Sequence, residues 1–373
     1  MTAERRRGGS GHGIIGRVTT PPSVHDVLVV GAGQAGLGTA WWLTRTGVRD
    51  VVVVDAAEVG GSWLRRWESL QLFTPRRFSS LPGVPFPDGP TPTPDRVEMA
   101  EYLHGYARRL DVELRTRTPV TRLTPDPVGF RAETPDGPVR ARQVVLATGP
   151  FARPRVPPAG AQLAGSVAQL HSADYCRPTD LPEGPVLVVG GGNSAAQLAV
   201  ELAATHPVTV VAPREPRFLP ERVLGVSVYW WLLLSGVLNA GADSRVARGV
   251  RRRGDAIIGR DLARLRDDGT IRWLTGRVAG AEGDRVRLDD GRTEQVSAVL
   301  WCTGFEPDTG WIDVPGALDA EGAPRHDRGA SPVPGLHWMG LPWQTRVNSS
   351  IIDGVDRDAR RTTRRIRRGL GRA

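Results

Sequence analysis

An α/β fold with two parallel-sheet units is predicted by two segments of the same design and by the residue at a fixed distance beyond each. The first segment is the apolar run Val27-Leu28-Val29-Val30, which leads straight into Gly31-Ala32-Gly33-Gln34-Ala35-Gly36. The second is Val186-Leu187-Val188-Val189, which leads into Gly190-Gly191-Gly192-Asn193-Ser194-Ala195. Each continues into a helix-forming stretch, 38–43 or 195–202, and then into a further β-branched run, Val51-Val52-Val53-Val54 or Val208-Thr209-Val210-Val211. A buried strand that turns directly into a helix aims backbone N–H groups and the positive end of the helix dipole at one spot, which suits a pyrophosphate. The first glycine permits the tight turn, the second lets phosphate approach the backbone, and the third position (Gly36 or Ala195) allows close helix–strand packing. Both units are therefore read as Rossmann-type dinucleotide-binding domains.

The third observation is the residue 24 positions beyond each leading glycine, Asp55 in one unit and Arg214 in the other. A carboxylate there accepts hydrogen bonds from ribose hydroxyls, whereas a guanidinium pairs with a 2′-phosphate. The contrast predicts two different dinucleotides on one chain, with Arg214 selecting NADP and Arg217 beside it as a helper.

Along the chain, residues 1–24 read as a disordered leader. Residues 25–60 read strand, helix, strand. Gly60-Gly61-Ser62-Trp63 and Leu70-Gln71-Leu72-Phe73-Thr74-Pro75 come next, then a Pro/Gly-rich loop, 81–94, expected to wrap the first cofactor. Met99, Tyr102, Leu103 and Tyr106 are spaced for a helix over Glu98 to Leu110. Strands are expected at 112–116, 119–123, 129–133 and 138–146, the last running into Ala147-Thr148-Gly149, where a small residue and glycine can pass close to a nucleotide. A hinge at 154–158 opens the second domain, 156–298. The first domain comprises 25–155 and resumes at 299–373, so the second is inserted into it.

The 373 residues carry a net charge of +9, and all 49 basic residues are arginine. With no lysine in the chain, lysine-based catalysis is excluded, and the arginine excess reads as compositional rather than as a nucleic-acid footprint. Cys176 and Cys302 form no CxxC, which argues against a dithiol reductase. No metal-ligand spacing is present. No apolar stretch comes after Arg5-Arg6-Arg7, so a cytoplasmic protein without a signal peptide is expected. The longest apolar run, Val223 to Val237, is shorter than the ~18 residues of a spanning helix. It reads as a buried or interface helix, with a substrate-channel wall or a shallow membrane contact as sharper alternatives. The tail around 360–368 reads as a solvated basic helix end.

Over about 25–360 the chain resembles the flavin-containing monooxygenases, in particular bacterial members related to the YUCCA-type enzymes and to Baeyer–Villiger monooxygenases. Besides the two fingerprints, the resemblance rests on Gly60-Gly61-Ser62-Trp63, the 70–75 segment, Ala147-Thr148-Gly149, Leu170-His171-Ser172-Ala173-Asp174-Tyr175, 303–308 and 340–344. The family's Phe-x-Gly-xxx-His-xxx-aromatic motif is met by Leu163, Gly165, His171 and Tyr175, with Leu for Phe and two extra residues before His. Tyr175-Cys176 stands where a Baeyer–Villiger version has Trp-Pro, and Pro75 comes after Thr74 where animal enzymes have Asn.

The resemblance implies FAD on Gly31, Gly33, Gln34, Ala35, Gly36, Asp55, Gly61, Ser62, Trp63, Thr148 and Gly149. It implies NADPH on Gly190, Gly192, Asn193, Ser194, Ala195 and Arg214. The implied activity is an NADPH-dependent monooxygenase: flavin is reduced, O₂ forms a C4a-(hydro)peroxyflavin, and a small organic substrate is oxygenated at nitrogen, sulfur or a carbonyl. A flavoprotein NAD(P)H oxidase or reductase and a Baeyer–Villiger enzyme remain as alternatives. No catalytic residue is assigned. Thr74, His171 and Gln344 are the candidates, with Arg346 nearby and Phe73, Trp230, Trp231 and Trp343 as pocket aromatics.

Overall fold

The computed structural model describes residues 24–254 and 256–371. The first unit comprises β1 (Val24–Val30), α1 (Gln34–Arg45), β2 (Val51–Val54), the one-turn α2 (Gly61–Leu64), α3 (Arg96–Ala107), β3 (Glu113–Arg115), β4 (Arg122–Asp126), β5 (Gly129–Glu133) and β6 (Val139–Leu146). The sheet order is β3-β2-β1-β6-β5-β4. β1 lies parallel to β2 and β6, while β5 and β4 continue antiparallel. All four valines of β2 are buried, as expected of a parallel strand covered on both faces.

Two boundaries differ from expectation for local reasons. α3 begins at Arg96 because Asp95 caps it: its Oδ1 accepts from the Val97 and Glu98 N–H groups, while Glu98 Oε2 accepts from Asp95 N. β4 sits at 122–126, in register with β5, rather than at 119–123. Residues 1–23 of the expected leader lie outside the described residues, and Val24 already belongs to β1.

The chain crosses to the second unit through β7 (Arg153–Pro154), then forms β8 (Ala168–His171), β9 (Val186–Val189), α4 (Asn193–Leu202) and β10 (Val208–Ala212). An excursion comes next: β11 (Phe218–Leu219), the hairpin β12 (Arg222–Val223) and β13 (Val226–Ser227), α5 (Val228–Leu234), α6 (Arg245–Arg253) and β14 (Ile257–Ile258). α7 (Asp261–Asp267), β15 (Ile271–Thr275), the meander β16 (Val278–Glu282), β17 (Arg285–Leu288), β18 (Thr293–Gln295), and β19 (Ala298–Trp301) complete the unit. The second sheet has order β15-β10-β9-β19-β8, parallel throughout.

The return to the first unit therefore starts later than the expected residue 299. Ala298–Trp301 is buried on both faces between β9 and β8, and a strand so placed belongs to the second sheet. The apolar run 223–237 is not one buried helix. Leu224-Gly225 breaks it into a hairpin and the seven-residue α5, of which only Val228 and Tyr229 are buried.

β20 (Phe305–Glu306) pairs antiparallel with β7, so the two chain crossings lie side by side. β21 (Leu336–Trp338) then joins the first sheet parallel to β6, and α8 (Val355–Gly369) packs on α1. The basic tail is not merely a solvated helix end: Ile366 is fully buried, and its carbonyl accepts from Gln143 Nε2.

Candidate functional site

Each glycine turn is pressed against the end of the neighbouring parallel strand. Gly31 has φ 110°, and a Cβ there would lie 2.4 Å from the Ala147 carbonyl oxygen. Gly190 has φ 147°, and its Cβ would lie 2.3 Å from the Cys302 carbonyl oxygen. Both conditions require glycine. Thr148-Gly149 and Thr303-Gly304 are thereby placed beside the first and second turns. A Cβ at Gly36 would sit 1.8 Å from the Gly31 carbonyl oxygen, so α1 needs glycine there. α4 accommodates the buried Ala195 at the corresponding place.

The middle glycines behave differently. A Cβ on Gly33 or on Gly192 would meet nothing within 4 Å, and each N-caps its helix without any side-chain cap. The first-turn N–H groups of α1 and α4 thus face open space. That is the arrangement a dinucleotide pyrophosphate needs, and both turns fit such a group. Gln34 is half-buried at the α1 start and Ser194 exposed at the α4 start, with Ala35 buried behind.

Asp55 directly follows β2, with its carboxylate drawn to the first turn. Oδ2 accepts from Ala32 N at 2.6 Å and Oδ1 from Ala57 N at 2.8 Å, leaving outward lone pairs on a half-exposed group. Arg214 lies exposed two residues beyond Ala212, whose Cβ is 3.0 Å from the Cβ position of Gly191. Its guanidinium reaches the Gly254 turn, where Arg217 Nη1 donates to the carbonyls of Arg253 and Gly254 at 3.4 and 3.3 Å. The Asn193 side chain is engaged elsewhere: Nδ2 donates to Ala256 O and Oδ1 accepts from Ile258 N, tying α4 to β14. The Asn193 backbone and the second Nδ2 hydrogen are left for a ligand.

Gly61, Ser62 and Trp63 start α2, with Gly60 in the left-handed region against α3 and Trp63 packed on the cores of both units. From here the 63–75 segment bridges the units. Trp67 and Leu70 enter the core of the second, Leu72 that of the first, and Gln71 O accepts from Gln197 Nε2 of α4 at 2.9 Å. A second bridge joins 238–242 to 345–348 through Ala242 N to Thr345 O, Val347 N to Ala240 O and Asn348 N to Leu238 O. Arg346 Nη1 reinforces it by donating to Asn239.

None of the three candidate catalytic side chains is presented to open space. Thr74 is buried and shares a 2.9 Å hydrogen bond with Ser79. Gln344 is buried, its Oε1 accepting from Leu341 N and its Nε2 donating to Met339 Sδ. His171 accepts at Nδ1 from Ala173 N and donates from Nε2 to Gly304 O at 3.0 Å. These contacts fix one neutral tautomer, and burial holds its pKa below the usual histidine value. His171 thus clamps β8 to the Thr-Gly end of β19. Tyr175 is fully buried and donates to Glu201 Oε2.

Of the pocket aromatics, Phe73 is exposed, Trp230 packs edge-on against Phe78 at 5.2 Å, and Trp343 lies under Arg251. Trp231 turns away to donate to Val223 O. One element is not anticipated by the sequence. Phe151 and Phe305, each just past a Thr-Gly, meet edge to face at 5.2 Å, and Arg66 lies over both rings. The only sequence signal is the repeated Thr-Gly-(Pro)-Phe pattern.

Two uncapped glycine turns, one beside a pinned carboxylate and the other near a pair of guanidiniums, define the class: a protein with two turns that fit dinucleotides. The sequence profile of the pyridine nucleotide-disulphide oxidoreductase family matches residues 28–228. A Geobacillus kaustophilus protein described as an uncharacterized CzcO-like oxidoreductase is 39% identical over 334 residues, covering 90% of this chain and 96% of the relative. Indole-3-pyruvate monooxygenase YUCCA6 of Arabidopsis thaliana is 30% identical over 316 residues, 75% of each chain. The solved structure of a flavin-containing monooxygenase from Stenotrophomonas maltophilia superposes with a TM-score of 0.78 at 28% identity, covering 93% of this chain and 99% of that one. The chain belongs to the pyridine nucleotide-disulphide oxidoreductase family and to the flavin-containing-monooxygenase-like superfamily. It is accordingly an oxidoreductase that uses FAD and NADP(H).

Proposed function

We propose that the protein is an NADPH-dependent FAD monooxygenase that oxygenates a small organic molecule at a nitrogen, sulfur or carbonyl centre. In this reading FAD lies on the Gly31 turn with its ribose on Asp55. NADPH lies on the Gly190 turn with its 2′-phosphate at Arg214 and Arg217, in a domain inserted into the FAD domain. Bound FAD supplies the chemistry, passing electrons from NADPH to O₂ and one oxygen atom to the substrate. The chain binds and orients. The N–H groups of α1 and α4 hold the two pyrophosphates, and the 63–75 and 238–242/345–348 bridges keep the turns in register. His171 moves no proton, since both ring nitrogens are engaged.

The observation that carries this reading is the opposite charge at two otherwise matching turns. The thiols support it against disulfide reduction. Both cysteines are free, and burial pushes the Cys302 thiol up to about 12, far from a reactive thiolate. The Arabidopsis relative's name, an indole-3-pyruvate monooxygenase, adds 2-oxo acids to the substrates to be tried. The test monitors NADPH, O₂ and H₂O₂ together over a panel of amines, thioethers, ketones and 2-oxo acids. A substrate that lowers H₂O₂ below one per NADPH, with matching product, supports the reading. Stoichiometric H₂O₂ with every member makes the protein an oxidase.

A further inference from the structure

The excursion between β10 and β15 carries a surface that the nucleotide geometry does not use. β12 and β13 are joined by Leu224-Gly225, with φ of 51° and 76°. A two-residue hairpin turn with both central residues left-handed favours Asn-Gly or Asp-Gly, and leucine is strained there. Leu224 is nevertheless 88% exposed, so neither turn chemistry nor core packing explains it. Val226 and Trp231 are also exposed, and Leu234 is 76% exposed. The 3.1 Å bond from Trp231 Nε1 to Val223 O holds the ring against the hairpin, joining tip and helix into one apolar patch.

Charge identifies the occupant. Leaving aside Arg214 and Arg217 at the nucleotide turn, residues 218–260 contain seven arginines against three carboxylates. Arg222 lies in the hairpin itself, and Arg245, Arg248, Arg251, Arg252 and Arg253 are all exposed on α6. Among the described residues none of these six forms an ion pair with a carboxylate. Two copies of the chain meeting through this excursion would bring like charges together. An anionic bilayer satisfies both features, with leucine and tryptophan entering the interface while arginines reach lipid phosphates. We propose that this excursion docks the protein on an anionic lipid surface. No described helix is long and apolar enough to cross a membrane, so the contact is peripheral.

The experiment is co-sedimentation of the full chain with vesicles of phosphatidylcholine alone, or with one third phosphatidylglycerol. Wild type should bind the anionic vesicles at low salt, bind the neutral ones weakly, and be released by high salt. The variant Leu224→Asn/Leu234→Ser should bind at least about tenfold more weakly. It should also melt no lower than wild type, since Asn suits the turn, and should retain NADPH oxidation. Arg245→Gln/Arg248→Gln should lose the preference for anionic over neutral vesicles. Equal vesicle binding by wild type and the leucine variant overturns the proposal, as does absence of wild-type binding. A wild-type dimer that light scattering shows to become monomeric in the leucine variant also overturns it, assigning the patch to a second copy.

Discussion

Replacing Arg214 with alanine isolates the charge contrast between the two turns. The guanidinium is exposed, just past the strand that ends against Gly191, and its neighbour Arg217 is anchored at the same Gly254 turn. A hydrogen bond to a charged partner contributes about 1.5–3 kcal/mol. Exposure and salt screening favour the lower half of that range. Arg214→Ala should therefore lower kcat/KM for NADPH by roughly 10- to 30-fold. NADH, which has no phosphate there, should change by no more than about twofold. Because Arg217 can take over part of the contact, Arg214→Ala/Arg217→Ala should approach a hundredfold loss, on the order of 3 kcal/mol. The assay is initial-rate oxidation of NADPH and NADH measured by absorbance, at two ionic strengths. The wild-type preference for NADPH should weaken with salt, and the variant's should barely respond. Equal losses for the two nucleotides would refute the reasoning, because a change blind to the 2′-phosphate acts on the fold.

Gly33→Ala should fold and melt like the wild-type apoprotein, since its Cβ meets nothing, yet purify without yellow flavin; retention of FAD would contradict an open pyrophosphate seat. Gly31→Ala, with φ 110° and a 2.4 Å clash, should lose both flavin and soluble yield. Asp95→Ala should cost about 1 kcal/mol in denaturant unfolding, a loss restored by Asn or Ser at the same place. His337 is buried, its Nε2 donating to Gln143 Oε1, and burial pulls its pKa down to about 4 from 6.5. The unfolded chain then binds the extra proton first, so stability should fall as pH drops from 6.5 toward 4, by up to about 3 kcal/mol. His337→Gln should flatten that slope, and an unchanged slope would assign it to other groups.

The glycine turns are legible in sequence because their requirements are local: strand, turn and helix lie within a dozen residues, and Asp55 and Arg214 stand at fixed offset. The start of α3 is equally readable from the Asp95-x-x-Glu98 pattern, whereas apolar spacing alone places it two residues late. The features that stay hidden depend on distant partners. His171 shows the spacing of a functional residue, yet its engaged state is set by Gly304, 133 positions away. Ala298–Trp301 looks in sequence like any buried strand, and only pairing with β8 and β9 assigns its sheet. The apolar run 223–237 misleads by composition, because Gly225 matters more than the hydrophobic count. The β7–β20 ribbon is two residues per strand, too short for any periodicity to show.

Oxygen transfer itself is tested most directly by turnover with NADPH under ¹⁸O₂ and the substrate that best suppresses H₂O₂. One labelled atom should appear in the product, in step with NADPH consumed, and the other in water. Product without label, or label recovered only in H₂O₂, would contradict the assignment of this chain as a monooxygenase.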